Sequence, residues 1–390
     1  MSKSIPYGRQ WIDDNDIQAV VDVLKGDFLT TGPKVSEFEE RLAEYTGAKY
    51  AVAFSNGTAA LHGACFAAGI GKGDEVITTP ITFAASANCA LYVGARPVFA
   101  DICSDTYNID PSEIIGKVTL KTKAIIPVDF TGQPCDLDRI MEIAKKHNLI
   151  VIEDAAHSIG ATYKGRKIGS IADMTTFSFH PVKTITTGEG GAVTTNSQEF
   201  YEKLIFFRSH GITRDEDKLI NRQEGAWFYE QQLLGFNYRL TDIQAALGIS
   251  QLKKLDKFIN LRREFAKQYN DAFKDEEGII IPYQSADGNS AWHIYVVQLD
   301  TEKLSIGRKE FFNILQERGI RSNVHYIPVY YNPYYQRLGY KKGICPKAEA
   351  LYERIITLPL FAKLEQNEIG YVIETTRSIL HKNRFENNFN

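Results

Sequence analysis

Short apolar runs alternate with helical patterns along this chain as far as about Gly248. The pairs are "AVAFSNGT" with "AALHGACFAAGI", "EVITTP" with "TFAASANCALYVGA", and "AIIPVDF" with "DLDRIMEIAKKHN", followed by "LIVIEDA". Strands that alternate with helices at this spacing predict βαβ units and a mainly parallel sheet that is buried on both faces. We therefore expect an α/β fold, with ligand chemistry beyond the carboxyl ends of the strands.

A change of pattern after Gly248 predicts a second domain. The segment "SQLKKLDKFINLRREFAKQYNDAFKD" is typical of one long amphipathic helix. Beyond it, "IIIPY" and "HIYVVQLD" indicate strands and "GRKEFFNILQERGI" indicates a helix, which together favour an α+β module. We predict a large domain with an N-terminal arm over residues 1–250 and a smaller C-terminal domain over residues 251–390.

Charge and cysteine usage narrow the classes of ligand. The 45 Lys and Arg residues nearly balance the 48 Asp and Glu residues, without a block of like charge that would favour nucleic acid or a membrane surface. Neither a signal peptide nor a run long enough to span a bilayer is evident, so we expect a cytoplasmic protein. The five cysteines lack the spacing of a disulfide framework or a zinc site. Small molecules are the expected partners.

The first candidate site lies between the strand "YAVAF" and the helix that follows it. Small residues there, including Gly57 and Thr58, leave backbone N–H groups available at a helix N-terminus. The helix dipole favours an anion such as phosphate at that position. A plain N-cap turn is the alternative.

Asp154 ends the apolar run "LIVIED" and is the second candidate. An acid at the carboxyl end of a buried parallel strand lies where this fold places ligands, and its desolvation requires a cationic partner. A protonated pyridine nitrogen is one such partner. The alternative is that Asp154 caps the next helical segment.

Lys183 is the third candidate, within "FSFHPVKTITTGEGGAVTTN". Desolvation lowers the pKa of a lysine amine, which suits this side chain to Schiff-base chemistry. Ser178, five residues earlier, could offer its hydroxyl to the same anion as Gly57 and Thr58. A lone lysine is otherwise a solvated surface residue.

A phosphate turn, a strand-end acid and a lysine occur here in the order expected of a fold that binds pyridoxal phosphate through a Schiff base. With "SNGTAAL", "EDAAHSIGA", "FRSHG", "NYRLTDIQAALG" and "RSNVHYIPVY", the sequence resembles the DegT/DnrJ/EryC1/StrS family of sugar aminotransferases over nearly its whole length. The resemblance implies the type I, aspartate aminotransferase-like fold. It also implies pyridoxal 5'-phosphate (PLP) as cofactor, with pyridoxamine 5'-phosphate (PMP) as its intermediate form.

The segments "ITTPITFAASAN" and "VHYIPVY" are most similar to the pseudaminic acid branch of that family. This similarity implies transfer of an amino group from L-glutamate to C4 of a UDP-linked 4-keto-6-deoxy-N-acetyl-hexosamine. The alternative is another keto sugar, namely the D-xylo 4-keto epimer, a 3-keto sugar, or a dTDP or GDP sugar.

The resemblance also implies roles for residues around the cofactor ring. Lys183 matches the lysine that binds the cofactor covalently and then shuttles protons, and Asp154 matches the acid that keeps the pyridine nitrogen protonated. Phe83 matches the aromatic residue that stacks on the ring, although alone it would be interpreted as a core residue. His157 stands where many members carry a glutamine that faces the 3' oxygen of the cofactor.

Gly57, Thr58 and Ser178 match phosphate-binding positions of the family. Asn237 matches a residue that reaches the phosphate of the neighbouring subunit, which implies a homodimer with shared active sites. Without the resemblance, Asn237 would be interpreted as a helix cap before Thr241.

For the substrate, His325 and Tyr326 match the segment that faces the nucleotide sugar, although a histidine in this setting can also be purely structural. Arg239, together with Arg208 and His210, could bind a carboxylate or a pyrophosphate because the guanidinium fork matches both groups. Ordinary ion pairing is the alternative for these arginines.

Two other classes of protein share this fold. Some relatives are dehydratases that carry histidine in place of the cofactor-binding lysine, and Lys183 argues against that class. The other class is a non-catalytic dimeric regulator. The combination of Lys183, Asp154 and Ser178 argues against loss of the chemistry.

Overall fold

A computed structural model describes residues 4–221 and 225–385 of the chain. The α-helices of the described part are α1 (Asp14–Leu24), α2 (Pro33–Thr46), α3 (Gly57–Ala67), α4 (Ala85–Tyr92), α5 (Pro111–Ile115), α6 (Leu137–His147), α7 (Gln198–Arg208), α8 (Asp242–Leu252), α9 (Leu255–Phe273), α10 (Arg308–Glu317), α11 (Pro333–Arg337), α12 (Pro346–Tyr352) and α13 (Gln366–Asn383). The strands are β1 (Ile5–Pro6), β2 (Tyr50–Phe54), β3 (Glu75–Thr78), β4 (Arg96–Phe99), β5 (Thr122–Ile126), β6 (Ile150–Asp154), β7 (Thr162–Tyr163), β8 (Arg166–Lys167), β9 (Met174–Ser178), β10 (Gly191–Thr195), β11 (Ile212–Thr213), β12 (Glu230–Gln231), β13 (Ile279–Ile280), β14 (Gly288–Asn289), β15 (Tyr295–Leu299), β16 (Ile320–Arg321) and β17 (Ile355–Leu358).

The largest sheet has seven strands in the order β2-β10-β9-β6-β5-β3-β4. Strands β9, β6, β5, β3 and β4 pair in parallel, which confirms the predicted mainly parallel sheet. Strand β10 is the exception, since it runs antiparallel to both β2 and β9. The loop from β9 to β10, residues 179–190, contains no helix that could carry the chain back for a parallel crossover.

Helices cover both faces of this sheet. Alternate residues of a strand point to opposite faces, and in β2 the pair Ala51 and Ala53 packs in one hydrophobic cluster while Val52 and Phe54 pack in the other. The first cluster contains residues of α2, α6 and α8, and the second contains residues of α3, α4 and α7. The result is an α/β/α layering in which the strands are nearly continuous apolar runs because both faces are buried.

A smaller sheet forms near the C-terminus. Strand β15 pairs antiparallel with β13 and β17, and a separate hydrophobic cluster joins this sheet to α9, α10 and α13. The short β1 pairs in parallel with β16, so the N-terminal segment lies against the C-terminal part of the chain. The division into residues 1–250 and 251–390 remains a prediction.

The prediction of a single long helix after Gly248 is wrong in one respect. Helix α8 ends at Leu252 and α9 begins at Leu255. Between them, the Nζ atom of Lys254 lies 2.6 Å from Asp16 Oδ2 and 2.7 Å from Asp13 Oδ1. Asp16 is fully buried and requires a cation, so the chain turns to place the lysine there.

No helix within residues 4–221 and 225–385 is both long enough and apolar enough to cross a bilayer. The five cysteines are free thiols, and four of them are buried.

One glycine fixes how closely β10 approaches the start of α3. A Cβ atom added at Gly191 would lie 2.5 Å from the carbonyl carbon and oxygen of Asn56 and 2.6 Å from the backbone nitrogen of Gly57. These neighbours are backbone atoms and cannot rotate away. The N-cap residue of α3, Asn56, and the first residue of α3, Gly57, are therefore positioned by the missing side chain of Gly191.

We predict that Gly191→Ala lowers the free energy of unfolding by about 1–3 kcal/mol, because overpacking displaces backbone. Gly370→Ala is the matched control. Its added Cβ meets no atom within 4 Å in α13, so it should raise stability by about 0.5–1 kcal/mol through helix propensity. Urea unfolding of both variants measures the difference. Equal effects of the two substitutions would contradict this interpretation of Gly191.

Candidate active site

A cavity of about 1180 Å³ opens at the carboxyl ends of β2, β6 and β9. It is lined by nine of the residues predicted from the sequence: Gly57, Thr58, Phe83, Asp154, His157, Ser178, Lys183, His325 and Tyr326. Residues more than 200 positions apart in sequence therefore meet in one space. This is the edge of the sheet at which α/β folds bind ligands.

Lys183 lies in the loop between β9 and β10. Its backbone N–H donates to the carbonyl of His180 (2.9 Å). Two further hydrogen bonds hold the loop to the carbonyl of Phe179: one from the N–H of Thr187 (3.0 Å) and one from the hydroxyl of Thr186 (2.9 Å). Burial lowers the pKa of the Lys183 amine to about 8, and the nearby Asp154 carboxylate acts in the opposite direction. The amine is therefore partly neutral near neutral pH, which a solvated surface lysine is not.

Asp154 ends β6 and is buried. Its Oδ2 accepts a hydrogen bond from Ser86 Oγ (2.6 Å), and its Oδ1 accepts one from the N–H of Ala156 (3.1 Å). Burial raises the pKa of this carboxyl, and these two bonds and the charge of Lys183 oppose that rise. Within the described ranges no side chain forms an ion pair with it at 4.0 Å or less, so the carboxylate can accept a cationic nitrogen from a ligand.

The start of α3 lines the cavity and presents backbone N–H groups. The Asn56 side chain caps the helix by accepting from the N–H of Ala59 (2.8 Å). The amides of Gly57 and Thr58 lie in the first turn of the helix and have no intrahelical acceptor. Ser178 lies against them, since a Cβ added at Gly57 would be 2.9 Å from Ser178 Cβ. The capping role therefore belongs to Asn56, and the first two amides of the helix are left as donors of the kind that binds an anion.

Phe83 and His157 contribute to the wall of the cavity. Phe83 is 64% exposed, so the alternative interpretation as a core residue is wrong. Its ring lies 6.4 Å from that of Tyr326. Tyr326 OH is also 3.1 Å from His157 Nε2. Burial, reinforced by the charge of Lys183, holds the pKa of His157 well below its usual range, so this imidazole is neutral.

His325 both supports the structure and lines the cavity. Its Nδ1 atom lies 2.8 Å from the hydroxyl of Thr357, and its ring packs 5.1 Å from that of Tyr7. Burial and the charge of Lys183 lower the pKa of His325 to about 3. It is therefore a neutral polar group for a ligand to contact.

Three polar residues from the sequence prediction lie elsewhere. Arg208 forms an ion pair with Glu39 and donates to the carbonyl of Ala53 (2.7 Å), which is the structural alternative given above. Asn237 is exposed and Arg239 is half-buried, and neither lines the cavity of its own chain. The cap of α8 is Thr241, so Asn237 is not that helix cap. The proposed roles of Asn237 and Arg239 stay predictions.

The sequence interpretation missed several residues of this site. Ser86, the second residue of α4, donates a hydrogen bond to Asp154, and its hydroxyl lies 2.7 Å from that of Thr82. A hydroxyl among the small residues of "AASANCA" was an available signal. Tyr7 and Asn323 also line the cavity, but nothing in their local sequence indicates it.

The chain is similar to known proteins in sequence and in structure. Residues 10–377 match the DegT/DnrJ/EryC1/StrS aminotransferase family. The spore coat polysaccharide biosynthesis protein SpsC of Bacillus subtilis (strain 168) is 44% identical, over 96% of this chain and 97% of that protein. The UDP-4-amino-4,6-dideoxy-N-acetyl-beta-L-altrosamine transaminase of Campylobacter jejuni subsp. jejuni serotype O:23/36 is 40% identical, over 97% of this chain and 98% of that protein.

A solved structure is similar over the same length. It is that of Helicobacter pylori PseC, an aminotransferase involved in the biosynthesis of pseudoaminic acid, with a TM-score of 0.91 at 34% identity over 97% of this chain and 100% of that one. The chain belongs to the DegT/DnrJ/EryC1/StrS aminotransferase family. It is a PLP-dependent sugar aminotransferase with the type I fold, and structural relatives are known in PMP and apo forms.

The lowered pKa of Lys183 leads to a prediction about its reactivity. Only a neutral amine attacks the aldehyde of PLP, so the rate of covalent capture by apoprotein should rise about tenfold per pH unit below about pH 8 and level off above it. Stopped-flow absorbance, with a free lysine derivative measured in parallel, separates this from the titration of PLP itself. A rate that still climbs beyond pH 10 would show an ordinary, solvated lysine.

Proposed function

We propose that this enzyme moves an amino group from L-glutamate to C4 of a UDP-linked 4-keto-6-deoxy-N-acetyl-hexosamine, a step of pseudaminic acid biosynthesis. The observation that carries the proposal is the partly neutral Lys183 amine beside the buried Asp154 carboxylate in one large cavity. The proposal is further supported by the name of the Campylobacter jejuni relative and by the likeness to PseC.

Residues of the cavity fit PLP group by group. We assign the phosphate to the amides of Gly57 and Thr58 with the Ser178 hydroxyl, and the pyridine nitrogen to Asp154. The exposed ring of Phe83 offers an apolar face for stacking. When bound, PLP supplies the carbonyl group that takes up the amine and a ring that withdraws electrons from the reacting carbon.

Lys183 then has two tasks. Its neutral amine can bind the cofactor covalently, and once released it can take a proton from Cα of the amino donor and deliver one at C4 of the sugar. General acid–base catalysis is most effective when the pKa lies near the working pH, and a value of about 8 meets that condition. Asp154 opposes a further fall of this pKa by stabilising the protonated amine.

The size of the cavity suits the substrate we propose. Pockets for small ligands usually measure about 300–1,000 Å³, and this one reaches about 1180 Å³. In a ping-pong reaction the same space must accept a small dicarboxylate and then a nucleotide sugar. His325 and Tyr326 offer uncharged polar groups to the sugar, because burial lowers the pKa of His325 and raises that of Tyr326.

A different keto sugar is the second candidate. The 44% identity to SpsC, a protein of spore coat polysaccharide biosynthesis, favours it. In that case the cofactor chemistry is unchanged, and the acceptor is the D-xylo 4-keto epimer, a 3-keto sugar, or a dTDP or GDP sugar.

We predict amine delivery to C4 of UDP-2-acetamido-2,6-dideoxy-β-L-arabino-hexos-4-ulose, which gives the L-altro amino sugar. Purified enzyme with glutamate is incubated with this sugar and with a panel of the alternatives, and products are identified by mass spectrometry and NMR. Preference for the D-xylo epimer or for a 3-keto sugar would overturn the sugar assignment and leave the cofactor chemistry intact.

Lys183 variants are the controls for that assay. Lys183→Ala should lose turnover, and Lys183→Arg should lose it equally, because a guanidinium stays protonated and cannot act as the nucleophilic amine. Turnover at the wild-type rate in either variant would remove Lys183 from its assigned role.

We also propose a homodimer in which Asn237 of one subunit serves the site of the other. Mixing Lys183→Ala chains with Asn237→Ala chains then regenerates one site with both native residues in each mixed dimer. Activity above that of either parent is expected. If subunit exchange is demonstrated and activity does not recover, Asn237 acts within its own chain or not at all.

A further inference from the structure

An ion pair holds the outer edge of β2. This strand is at the end of the seven-stranded sheet and pairs with β10. The N–H of Ala53 donates to Glu39 Oε1 (2.7 Å), and the carbonyl of Ala53 accepts from Arg208 Nη1 (2.7 Å). Glu39 and Arg208 also pair with each other, and each side chain is only 12% exposed. The pair therefore satisfies two backbone groups of the kind that an edge strand leaves open.

These contacts belong to a closed ring of hydrogen bonds. The carbonyl of Arg208 accepts from the N–H of Tyr238 (3.0 Å), and the carbonyl of Tyr238 accepts from the N–H of Ser55 (2.7 Å). Ser55 lies two residues after Ala53, where the Arg208 side chain closes the ring. The ring therefore joins the end of β2, the end of α7 and the segment that contains Tyr238.

The ring lies directly before the backbone amides that we assign to the phosphate. Ser55 is followed by Asn56, the N-cap of α3, and then by Gly57 and Thr58. On the β10 side of the same strand end, Gly191 fixes how closely the backbone approaches. The ring holds the opposite side. A shift of this strand end would turn the two amides, and a hydrogen bond weakens steeply as its angle departs from linear.

We propose that Arg208 is a positioning residue for the cofactor phosphate. Through Glu39 and Ala53 it fixes the strand end from which the amides of Gly57 and Thr58 project. The inference rests on the proposed function, in which those amides hold the phosphate. Arg208 does not line the cavity of its own chain, so its effect passes through the backbone. Its removal should weaken the binding of the phosphate group and leave the contacts of the pyridine ring unchanged.

The ratio of the affinities for PMP and for pyridoxamine, which lacks the phosphate, tests this proposal by calorimetry on the apoprotein. The double variant Glu39→Leu/Arg208→Met replaces the pair with apolar side chains, so no buried charge is left unpaired. We expect it to bind PMP about tenfold more weakly and pyridoxamine as the wild type does. Equal losses for both ligands, or no loss, would overturn the proposal.

Two further variants are controls. Arg208→Lys keeps a cation beside Glu39 that can donate to the carbonyl of Ala53, so its affinity ratio should return close to that of the wild type. Lys254→Met is the matched control, because it removes the cation that lies 2.6 Å from the buried Asp16. It should lower stability and leave the ratio unchanged. No recovery in Arg208→Lys, or an equal change in Lys254→Met, would show a merely structural role.

If the double variant does not fold, Glu39→Gln decides. This variant keeps a side-chain oxygen for the N–H of Ala53 and removes the negative charge that holds Arg208. We expect about two- to fivefold weaker binding of PMP, with pyridoxamine unchanged. An unchanged affinity for PMP would overturn the proposal.

Two other positions separate this proposal from the assignments around it. In Asn237→Ala chains the loss caused by the double variant should persist, and its disappearance would show that Arg208 acts through Asn237. Ser178→Ala tests the phosphate assignment itself and should lower the same ratio. An unchanged ratio there would overturn that assignment and this proposal with it. A lowered ratio in Ser178→Ala with none in the double variant would remove only the role of Arg208.

Discussion

Lys183 and Asp154 place opposite charges in the same cavity, where burial disfavours the charged form of each side chain. Burial lowers the pKa of the amine and raises that of the carboxyl, and the attraction between the two opposes each shift. The balance leaves an amine that is partly neutral near pH 8 beside a carboxylate that Ser86 and the N–H of Ala156 also stabilise. Without Asp154 the amine would lose its charge more readily.

The sheet fixes this arrangement. Asp154 ends β6, and its parallel neighbour β9 leads directly into the loop that carries Lys183, with Asp154 opposite Thr176 in the register. This part of the site could be predicted from the sequence, because the carboxyl ends of parallel strands meet at one edge. Gly57 and Ser178 follow the same rule, since each lies at or just after a strand end. The strand and helix pattern was predictable for the same reason, as its periodicity is local.

The remaining features depend on contacts that no local pattern shows. Ser86 approaches Asp154 from helix α4, and the ring of His293 packs on that of His157 from the C-terminal part of the chain. The break between α8 and α9 arises because Lys254 must meet the buried Asp16, some 240 residues earlier in sequence. Hydrophobic periodicity is a property of each segment alone, so the pattern of this segment predicts a continuous helix. Asn237 lies outside the cavity of its own chain, and its predicted role concerns a second subunit.

The central claim, that Lys183 is the residue which holds the cofactor, has a direct test. PLP-loaded enzyme is reduced with borohydride, digested, and analysed by mass spectrometry for the lysine that carries the phosphopyridoxyl group. We expect one modified peptide, which contains the sequence "FSFHPVKTITTGEGG" and carries the group on Lys183. Modification of a different lysine, or none in an enzyme that turns over, would contradict it.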